Sequence, residues 1–275
     1  MKMDEKKTVE VLWTGGYDST YMVTRLSRRP VRIQPVYMET HRQSQPQELK
    51  AMEKIMALLK KHPATKAEFL PIKILPWGTV PEDPEVKAAY DKLNETHFLG
   101  YQYARFAAYA KDHPGMEIGI QDGHAISVIK AFAALKQLDT EEEGTYYVLD
   151  TEKSDAVMNT LFAYYHFPIC ETKKDEMKEW FHANGYDKVA ASTWTCHLPI
   201  FGRPCGLCNP CKYAIDEGMT DRIGKVGMMR YHLIREPKEK NGTWKACEAK
   251  RYRWIGRADH YKKKLKKLFF REKKK

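Results

Sequence analysis

In residues 11–20, VLWTGGYDST, an apolar run is followed by two glycines and then by an aspartate and two hydroxyl side chains. Glycine at the end of a strand lets the backbone approach a ligand closely and adopt φ > 0. The N–H groups and the dipole of a following helix attract an anion. The stretch therefore predicts a phosphate-binding turn, and an ordinary strand-to-helix turn capped by a hydroxyl group is the alternative. The candidate ligand-binding residues are Thr14, Gly15, Gly16, Tyr17, Asp18, Ser19 and Thr20.

The polar side chains of this turn suit phosphate chemistry. Thr14 and Ser19 offer hydroxyl groups to phosphate oxygens, and Asp18 offers a carboxylate to Mg²⁺. The string is neither the phosphate-binding GxxxxGK[ST] pattern nor the dinucleotide-binding GxGxxG pattern. Asp18 and Ser19 are therefore the candidate catalytic residues of the turn.

Four cysteines near the C-terminal end of the chain have the spacing C-x8-C-x2-C-x2-C, at Cys196, Cys205, Cys208 and Cys211. Four thiolates complete a tetrahedral zinc site and leave no position for water, so Zn²⁺ bound there would be structural. Its binding would fold a loop-rich segment. His197 is a competing ligand, although its position next to Cys196 favours a bystander. Four buried thiols without metal are the alternative.

The strands and helices predicted around them must position the glycine turn and the four cysteines. Apolar strand patterns at 8–13, 31–38, 69–75 and 116–120 alternate with helical patterns at 17–27, 46–61, up to about 111, and at 124–138. This alternation predicts an α/β fold with a mostly parallel sheet, in which ligands bind beyond the carboxyl ends of the strands. Residues 216–260 alternate polar and apolar side chains around Asn241-Gly242 and predict a β-hairpin.

The composition fits a folded protein, because 43% of the 275 residues are hydrophobic. The sequence has neither an N-terminal signal pattern nor an apolar stretch of membrane-spanning length, so we expect a cytoplasmic protein without a membrane partner. Residues 261–275 contain nine Lys or Arg and one Glu, and so carry +8 of the net charge of +11. This basic tail would attract nucleic acid or another anionic partner. A solvated amphipathic helix is the alternative.

The turn at 14–19 resembles the SGGxDS pyrophosphate loop of the ATP pyrophosphatase (PP-loop) family, with Thr14 in place of the first serine. Together with the TWTC element at 193–196 and the cysteine spacing, the chain resembles the 7-cyano-7-deazaguanine synthases of queuosine biosynthesis. The segments VYMETHRQSQPQELKAMEKI and ETKKDEMKEWFHANGY are also similar to that family. The resemblance extends discontinuously over roughly residues 8–215.

The resemblance implies a Rossmann-like fold of the adenine nucleotide alpha hydrolase type with a C-terminal zinc-binding subdomain. It implies an ATP-dependent C–N ligase that uses ATP, Mg²⁺ and Zn²⁺ and takes a deazaguanine-like acid and ammonia. In that family the carboxylate is adenylated, ammonia displaces AMP, and a second activation dehydrates the amide to a nitrile. Met38 and His41 would be further nucleotide contacts, and Lys173 a catalytic lysine at a helix N-terminus. A solvated lysine is the alternative for Lys173. Thr172 and Asp175 predict a capping box there.

The middle of the chain departs from the family pattern. Residues 100–102, Gly-Tyr-Gln, replace a Gly-Arg-Asn element, and only Gln121 and Asp122 stand where the family contacts its substrate. Gln121 and Asp122 are the candidate substrate residues, and a plain strand-to-helix turn is the alternative. Two other functions stay open. One is a PP-loop ATP pyrophosphatase that joins a different acid or a nucleic-acid base to another amine or sulfur donor. The other is a zinc-bearing nucleic-acid-binding module.

The expected organisation has four parts. Residues 1–165 form a nucleotide-binding α/β domain and residues 166–217 a zinc-binding helical subdomain. Residues 218–260 form the hairpin extension, and the basic tail follows. The sequence leaves the oligomeric state open, and a homodimer is one alternative. Cys170 is either a reactive thiol, as in sulfur-transferring PP-loop proteins, or inert packing.

Overall fold

The computed structural model describes residues 6–40 and 42–253 of the chain. The strands are β1 Thr8–Leu12, β2 Arg32–Met38, β3 Glu68–Phe69, β4 Lys73–Leu75, β5 Met116–Ile118, β6 Ala134–Thr140, β7 Gly144–Asp150 and β8 Tyr165–His166. The α-helices are α1 Tyr17–Leu26, α2 Gln45–Lys61, α3 Pro84–Asn94, α4 Gln102–Ala110, α5 His124–Phe132, α6 Ala156–Phe162, α7 Lys174–Ala183, α8 Asp187–Ala190, α9 Asn209–Asp216, α10 Gly224–Arg230 and α11 Glu236–Lys240.

The central sheet is parallel, with the strand order β3-β2-β1-β5-β8 and with β4 also paired to β2. Val11 and Leu12 of β1, which point to opposite faces of the sheet, are both almost fully buried, as expected for a strand at the centre of a sheet covered on both faces. The predicted α/β fold with a mostly parallel sheet is confirmed, and it is consistent with a Rossmann-like fold.

The predicted strand at 69–75 is interrupted, as Pro71 suggests. β3 and β4 both pair with β2, through Ile33 opposite Phe69 and Tyr37 opposite Ile74. Pro71 lies between them and has no N–H group for the ladder. Its carbonyl oxygen instead accepts a hydrogen bond from Gln34 Nε2 at 2.8 Å.

The helices α3 to α6 pack their apolar side chains on one face of the sheet. Leu12, Val36 and Ile118 from the strands and Ile126 and Phe162 from the helices belong to this buried cluster. The predicted helix that ends near residue 111 is two helices, because residues 95–101 separate α3 from α4. The core therefore holds the carboxyl ends of β1, β2 and β5 side by side.

The predicted helix at 124–138 is wrong after residue 132, where α5 ends. Residues 134–140 form β6, which pairs antiparallel with β7 and places Leu135 opposite Leu149. Gly144 follows the turn with φ +78°, a conformation that favours glycine. A long-range partner strand therefore overrides a local pattern that is compatible with a helix.

The described residues divide into two compact units, with the boundary between Gly202 and Arg203. Residues 166–202 belong to the unit that contains the sheet, so the expected zinc-binding subdomain at 166–217 is not a unit of its own. No helix within 6–40 and 42–253 has both the length and the apolar character that a membrane span requires. The basic tail at 261–275 lies outside the described residues.

The hairpin predicted at 218–260 is wrong over its described part, up to residue 253. Residues 224–240 are helical and include a π-helical turn at Tyr231–Arg235, and residues 244–253 are helical too. Gly242 (φ +73°) donates to the Glu239 carbonyl at 3.1 Å, and Thr243 N–H donates to the Lys238 carbonyl at 2.8 Å. These two bonds form a Schellman motif, so Asn241-Gly242 ends a helix instead of joining two strands.

Candidate functional site

The two glycines between β1 and α1 have different roles. Gly15 has φ +69°, and a Cβ atom there would lie 3.0 Å from the Glu48 carbonyl oxygen and 3.2 Å from Ala51 Cβ. Gly16 is the N-cap of α1 with ordinary extended backbone angles. Position 15 therefore needs glycine because of its positive φ and its close packing against α2. Gly16 instead exposes its backbone to the cavity described next.

A cavity of about 240 Å³ opens beyond the carboxyl ends of β1, β2 and β5, next to the first turn of α1. Its walls include six of the predicted ligand-binding residues, namely Thr14, Gly16, Tyr17, Asp18, Ser19 and Met38. The first N–H groups of a helix have no partners within the helix, so the N-terminus of α1 offers donors to an anion at this place. The parallel-sheet rule for ligand sites thus predicts the position of the cavity.

Three other predicted nucleotide contacts are placed differently. Gly15 is absent from the cavity wall for the packing reason above. Thr20 is fully buried, and its hydroxyl oxygen accepts a hydrogen bond from Trp13 Nε1 at 3.0 Å. Thr20 therefore anchors α1 to the end of β1. His41 lies outside the described residues.

Asp18 is paired with a lysine that sequence reasoning missed. The Lys174 ammonium group forms an ion pair with the Asp18 carboxylate, and it also lies 5.5 Å above the Tyr17 ring. The lysine side chain is 16% exposed and the aspartate side chain 31%. The ion pair is therefore partly shielded from water and lies at the first turn of α1.

Lys173, the predicted catalytic lysine, is exposed and is the N-cap of α7, so its expected place at a helix N-terminus is confirmed. Its backbone N–H donates to Glu176 Oε2 at 3.0 Å. The capping pair is therefore Lys173 with Glu176, and the predicted pair of Thr172 with Asp175 is wrong by one residue. This one-residue shift in the helix start puts Lys174 beside Asp18.

Further polar groups line the cavity without having been predicted. Arg42 Nη2 donates to Gln102 Oε1 at 2.5 Å, and Arg42 Nη1 lies 3.4 Å from His197 Nε2. Burial and the charge of Asp18 raise the pKa of Tyr103 to about 12. The Tyr103 hydroxyl therefore stays protonated at neutral pH. The described wall of the cavity combines the cation Arg42 and the carboxylates Asp18 and Glu48 with neutral hydrogen-bonding groups.

Glu48 also reaches the cavity wall, but both of its carboxylate oxygens are used within the protein. The Tyr37 hydroxyl donates to Oε2 and the Ser44 hydroxyl to Oε1, each at 2.6 Å. This buried network joins α2 to β2. Glu48 is therefore a residue that positions the wall of the cavity.

Gly119, directly after β5, brings the backbone of the sheet against α1. A Cβ atom at Gly119 would lie 2.8 Å from Ser19 Cα and 3.1 Å from Ser19 N. Gly119→Ala is expected to push the first turn of α1 away and to destabilise the protein by roughly 1–3 kcal/mol, as overpacking does. Urea unfolding measures the effect.

Gly100→Ala is the matched control, because a Cβ atom there has its nearest neighbour at 3.7 Å, in the flexible Gln102 side chain. Equal stability of the two variants would contradict the close approach of Gly119 to α1.

The predicted substrate residues are not part of the cavity wall. Gln121 and Asp122 follow β5 at the surface of the turn, and Asp122 N–H donates to the Thr172 carbonyl at 3.2 Å. The N-cap of α5 is Gly123, so Asp122 does not cap that helix. A substrate role for these two residues stays a prediction.

The four predicted cysteines come together. Their Sγ atoms lie within 4.8 Å of one another and all four residues are buried. Leu207 N–H and Cys208 N–H point to Cys205 Sγ at 3.2 and 3.3 Å. Amide donors of this kind stabilise a thiolate, and four thiolates suit a metal ion such as Zn²⁺. His197 lies in the cavity and is not a member of this cluster.

The loop between the second and third cysteines is held by a buried arginine of the same unit. Arg235 is 2% exposed, donates to the Leu207 carbonyl at 2.8 Å and to Asn209 Oδ1 at 2.7 Å, and stacks on Trp244 at 4.8 Å. Gly206 has φ +71°, and a Cβ atom there would collide with the Gly227 carbonyl. Both contacts fix the backbone that carries Cys205 and Cys208.

Cys170 is a packing residue. Burial, aided by the charge of Glu171, raises the pKa of its thiol to about 12, so the reactive thiolate is scarce at neutral pH.

No protein-family model matches the chain, and no curated protein shows significant similarity to it. The geometry defines a class all the same. It is an α/β protein with a mostly parallel sheet, a polar cavity at the carboxyl ends of the strands and four clustered cysteines able to bind a metal ion.

Proposed function

We propose that the chain is an ATP-dependent C–N ligase that activates a carboxylate by adenylation and transfers the acyl group to an amine. The observation that carries this proposal is the cavity at the N-terminus of α1, where Gly16, Asp18 and Ser19 face Arg42. The turn supplies main-chain donors for phosphate oxygens, and Arg42 supplies a cation for the same charge.

The proposed reaction needs no nucleophilic side chain. A carboxylate oxygen of the substrate attacks the α-phosphorus of ATP, the bond to the β-phosphate breaks, and pyrophosphate leaves. The amine then attacks the acyl carbon and AMP leaves with the bonding electrons. Mg²⁺ bound through Asp18 would offset the negative charge of the leaving group. The N–H groups of α1, together with Ser19 and Arg42, hold the phosphates in place.

Lys174 would stand beside the leaving pyrophosphate in this scheme. Its ion pair with Asp18 brings the ammonium group to the first turn of α1, next to Tyr17. When a polyphosphate occupies the turn, the ammonium group is available to it as a point charge.

Lys174→Ala is therefore expected to slow pyrophosphate release by roughly 10-fold to 100-fold. Lys173→Ala, one residue earlier and exposed, is the matched control and should stay close to the unchanged protein. A coupled assay for pyrophosphate measures both. A large loss in Lys173→Ala with normal turnover in Lys174→Ala would assign the role to Lys173 and contradict the proposal for Lys174.

The proposed substrate is 7-carboxy-7-deazaguanine, with ammonia as the amine and a second ATP-dependent step from the amide to the nitrile. The resemblance of the glycine turn, the TWTC element and the cysteine spacing supports this choice. The test is to incubate purified protein with Mg²⁺-ATP, ammonium and 7-carboxy-7-deazaguanine. The expected result is pyrophosphate and AMP together with an amide or nitrile product by mass spectrometry.

One observation favours a second candidate, a PP-loop ATP pyrophosphatase with a different acceptor. Gln121 and Asp122 lie outside the cavity wall, so the described cavity residues include neither predicted contact for a deazaguanine ring. ATP turnover only on addition of RNA or of another amine would support this candidate. Absence of pyrophosphate under every condition would contradict both.

A further inference from the structure

A second cavity, of about 450 Å³, lies in the same unit and shares no wall residue with the first. The last turns of α1, the β6–β7 connection, Pro168 and Trp180 form its walls. Met22, Leu26 and Ile169 make part of these walls apolar. Its charged residues are the buried Glu117 and Glu143, the half-buried Arg25 and Arg28, and the exposed Arg29, Lys66 and Glu141. The proposed function uses none of them.

One of the two buried carboxyl groups lacks a partner. Glu117, in the middle of β5, is 1% exposed, and its Oε2 atom has no hydrogen bond. Glu143, another buried wall residue, accepts from Lys7 Nζ at 2.8 Å and from His166 Nδ1 at 3.3 Å. A buried polar atom without a partner destabilises a protein, so the contrast between the two glutamates points to a donor that the chain itself does not provide.

The charges around Glu117 also leave room for an external cationic donor. Burial and the charge of Glu143 raise the pKa of Glu117 to about 8, while Arg25 and Lys7 act in the opposite direction. His166, on β8, is the strand neighbour of Glu117, but its ring nitrogen is directed to Glu143. Glu117 therefore keeps its proton at neutral pH until a closer cation arrives.

Three residues of the cavity wall, Arg25, Arg28 and Arg29, carry guanidinium groups that have N–H donors left for a ligand. Each is partly used within the protein. Arg25 donates to the Pro168 carbonyl and also bonds the Tyr21 hydroxyl. Arg28 donates to Asn184 Oδ1 and lies 5.6 Å from the centre of the Trp180 ring, and Arg29 donates to the Glu141 carbonyl. A guanidinium group has five N–H donors, so most of them stay available for an anion. Arg25 is close enough to Glu117 for its charge to affect that carboxyl group.

We propose that this cavity binds a free α-amino acid, with its ammonium group on Glu117 and its carboxylate on Arg25 and its neighbouring arginines. An unpartnered buried acid beside a cluster of guanidinium groups matches the two opposite charges that an α-amino acid carries on one carbon atom. The apolar wall and the Trp180 ring would contact the side chain. The inference does not depend on the proposed ligase activity.

The test uses the full-length protein and the common L-amino acids, each at about 10 mM in a thermal-shift screen, because a ligand of the native state raises the midpoint of unfolding. For the strongest binder, the amino-acid amide keeps only the ammonium group and the deaminated acid keeps only the carboxylate. We expect each of these two analogues to bind at least about 10-fold more weakly. The proposal would be overturned if no amino acid shifted the midpoint of unfolding, or if either analogue bound as tightly as the amino acid. Neither result requires a protein variant.

Glu117→Gln removes the ionisable carboxyl group while keeping the shape, and Glu142→Gln, an exposed neighbour outside the cavity wall, is the matched control. Glu117→Gln is expected to lose at least about 10-fold in affinity. In unchanged protein near pH 7, binding should release close to one proton, seen by calorimetry in buffers of different ionisation enthalpy. Affinity should rise from pH 6.5 towards pH 8.5 as Glu117 loses its proton more easily. Proton release of the same size in Glu117→Gln would contradict the assignment.

Discussion

Asp18→Ala is expected to slow pyrophosphate release by a factor on the order of 10²–10³, while the fold of residues 1–202 is kept. The carboxylate lines the cavity at the first turn of α1 and is the proposed ligand of Mg²⁺ there. Its side chain is 31% exposed and forms one ion pair, with Lys174, so its loss leaves the buried core intact. Pyrophosphate release and thermal unfolding, measured side by side, separate a loss of catalysis from a loss of stability.

The matched control is Asp175→Ala on α7. Asp175 is also an aspartate paired with a lysine, Lys178, but its side chain is 85% exposed and lies away from the cavity wall. This control should keep the turnover of the unchanged protein. If Asp18→Ala turned over ATP at the normal rate, the proposed role of the glycine turn would be wrong.

Cys208→Ser is expected to abolish stoichiometric metal binding and to destabilise the protein by roughly 4–5 kcal/mol or more, as the loss of a structural metal does. The serine hydroxyl is a poor ligand for Zn²⁺, and it would face the three remaining thiols of the buried cluster. Elemental analysis of the purified variant gives the zinc content, and denaturant unfolding gives the stability.

Cys247→Ser is the control for this experiment, because Cys247 is half-buried and is not one of the four clustered cysteines. It should keep one Zn²⁺ per chain. An equal zinc content in Cys208→Ser and in the unchanged protein would show that the four clustered cysteines do not bind Zn²⁺.

The parallel sheet could be predicted because each of its main strands is a short apolar run followed by a turn. The burial of Val9 and Val11 is visible in the sequence as TVEVL, and the break at Pro71 follows from the missing N–H group. These features are local, so neighbouring residues carry the information. The four cysteines were predictable for the same reason, since their spacing alone limits how the thiols can meet.

Two elements were predicted wrongly, one because its structure depends on a distant strand and the other because its turn sequence is ambiguous. Residues 134–140 become a strand because β7 pairs with them, and the intervening turn does not reveal this partner. The sequence Asn241-Gly242 suits both a hairpin turn and the end of a helix, and only the bonds to Lys238 and Glu239 distinguish the two. Local patterns could not decide either case.

The candidate site was predicted where it depends on one turn and missed where distant segments meet. Arg42 and His197 are 155 positions apart in the sequence, and Lys174 is 156 positions from Asp18. The sequence predicted the right segment but Lys173 instead of Lys174, because the start of α7 decides which of the two adjacent lysines lies beside Asp18. Glu117 had no sequence signal beyond an acidic residue within an apolar strand.

The TWTC element carries a consequence of its own. Trp194 N–H donates to the Gly15 carbonyl at 2.8 Å, and its indole Nε1 donates to the Cys196 carbonyl at 2.6 Å. Trp194 therefore connects the backbone of the glycine turn, at Gly15, to the backbone of Cys196. If the four cysteines hold Zn²⁺, the metal would restrain the proposed phosphate-binding turn through Trp194, without a contact to any substrate. Removal of zinc is then expected to lower the proposed pyrophosphate release.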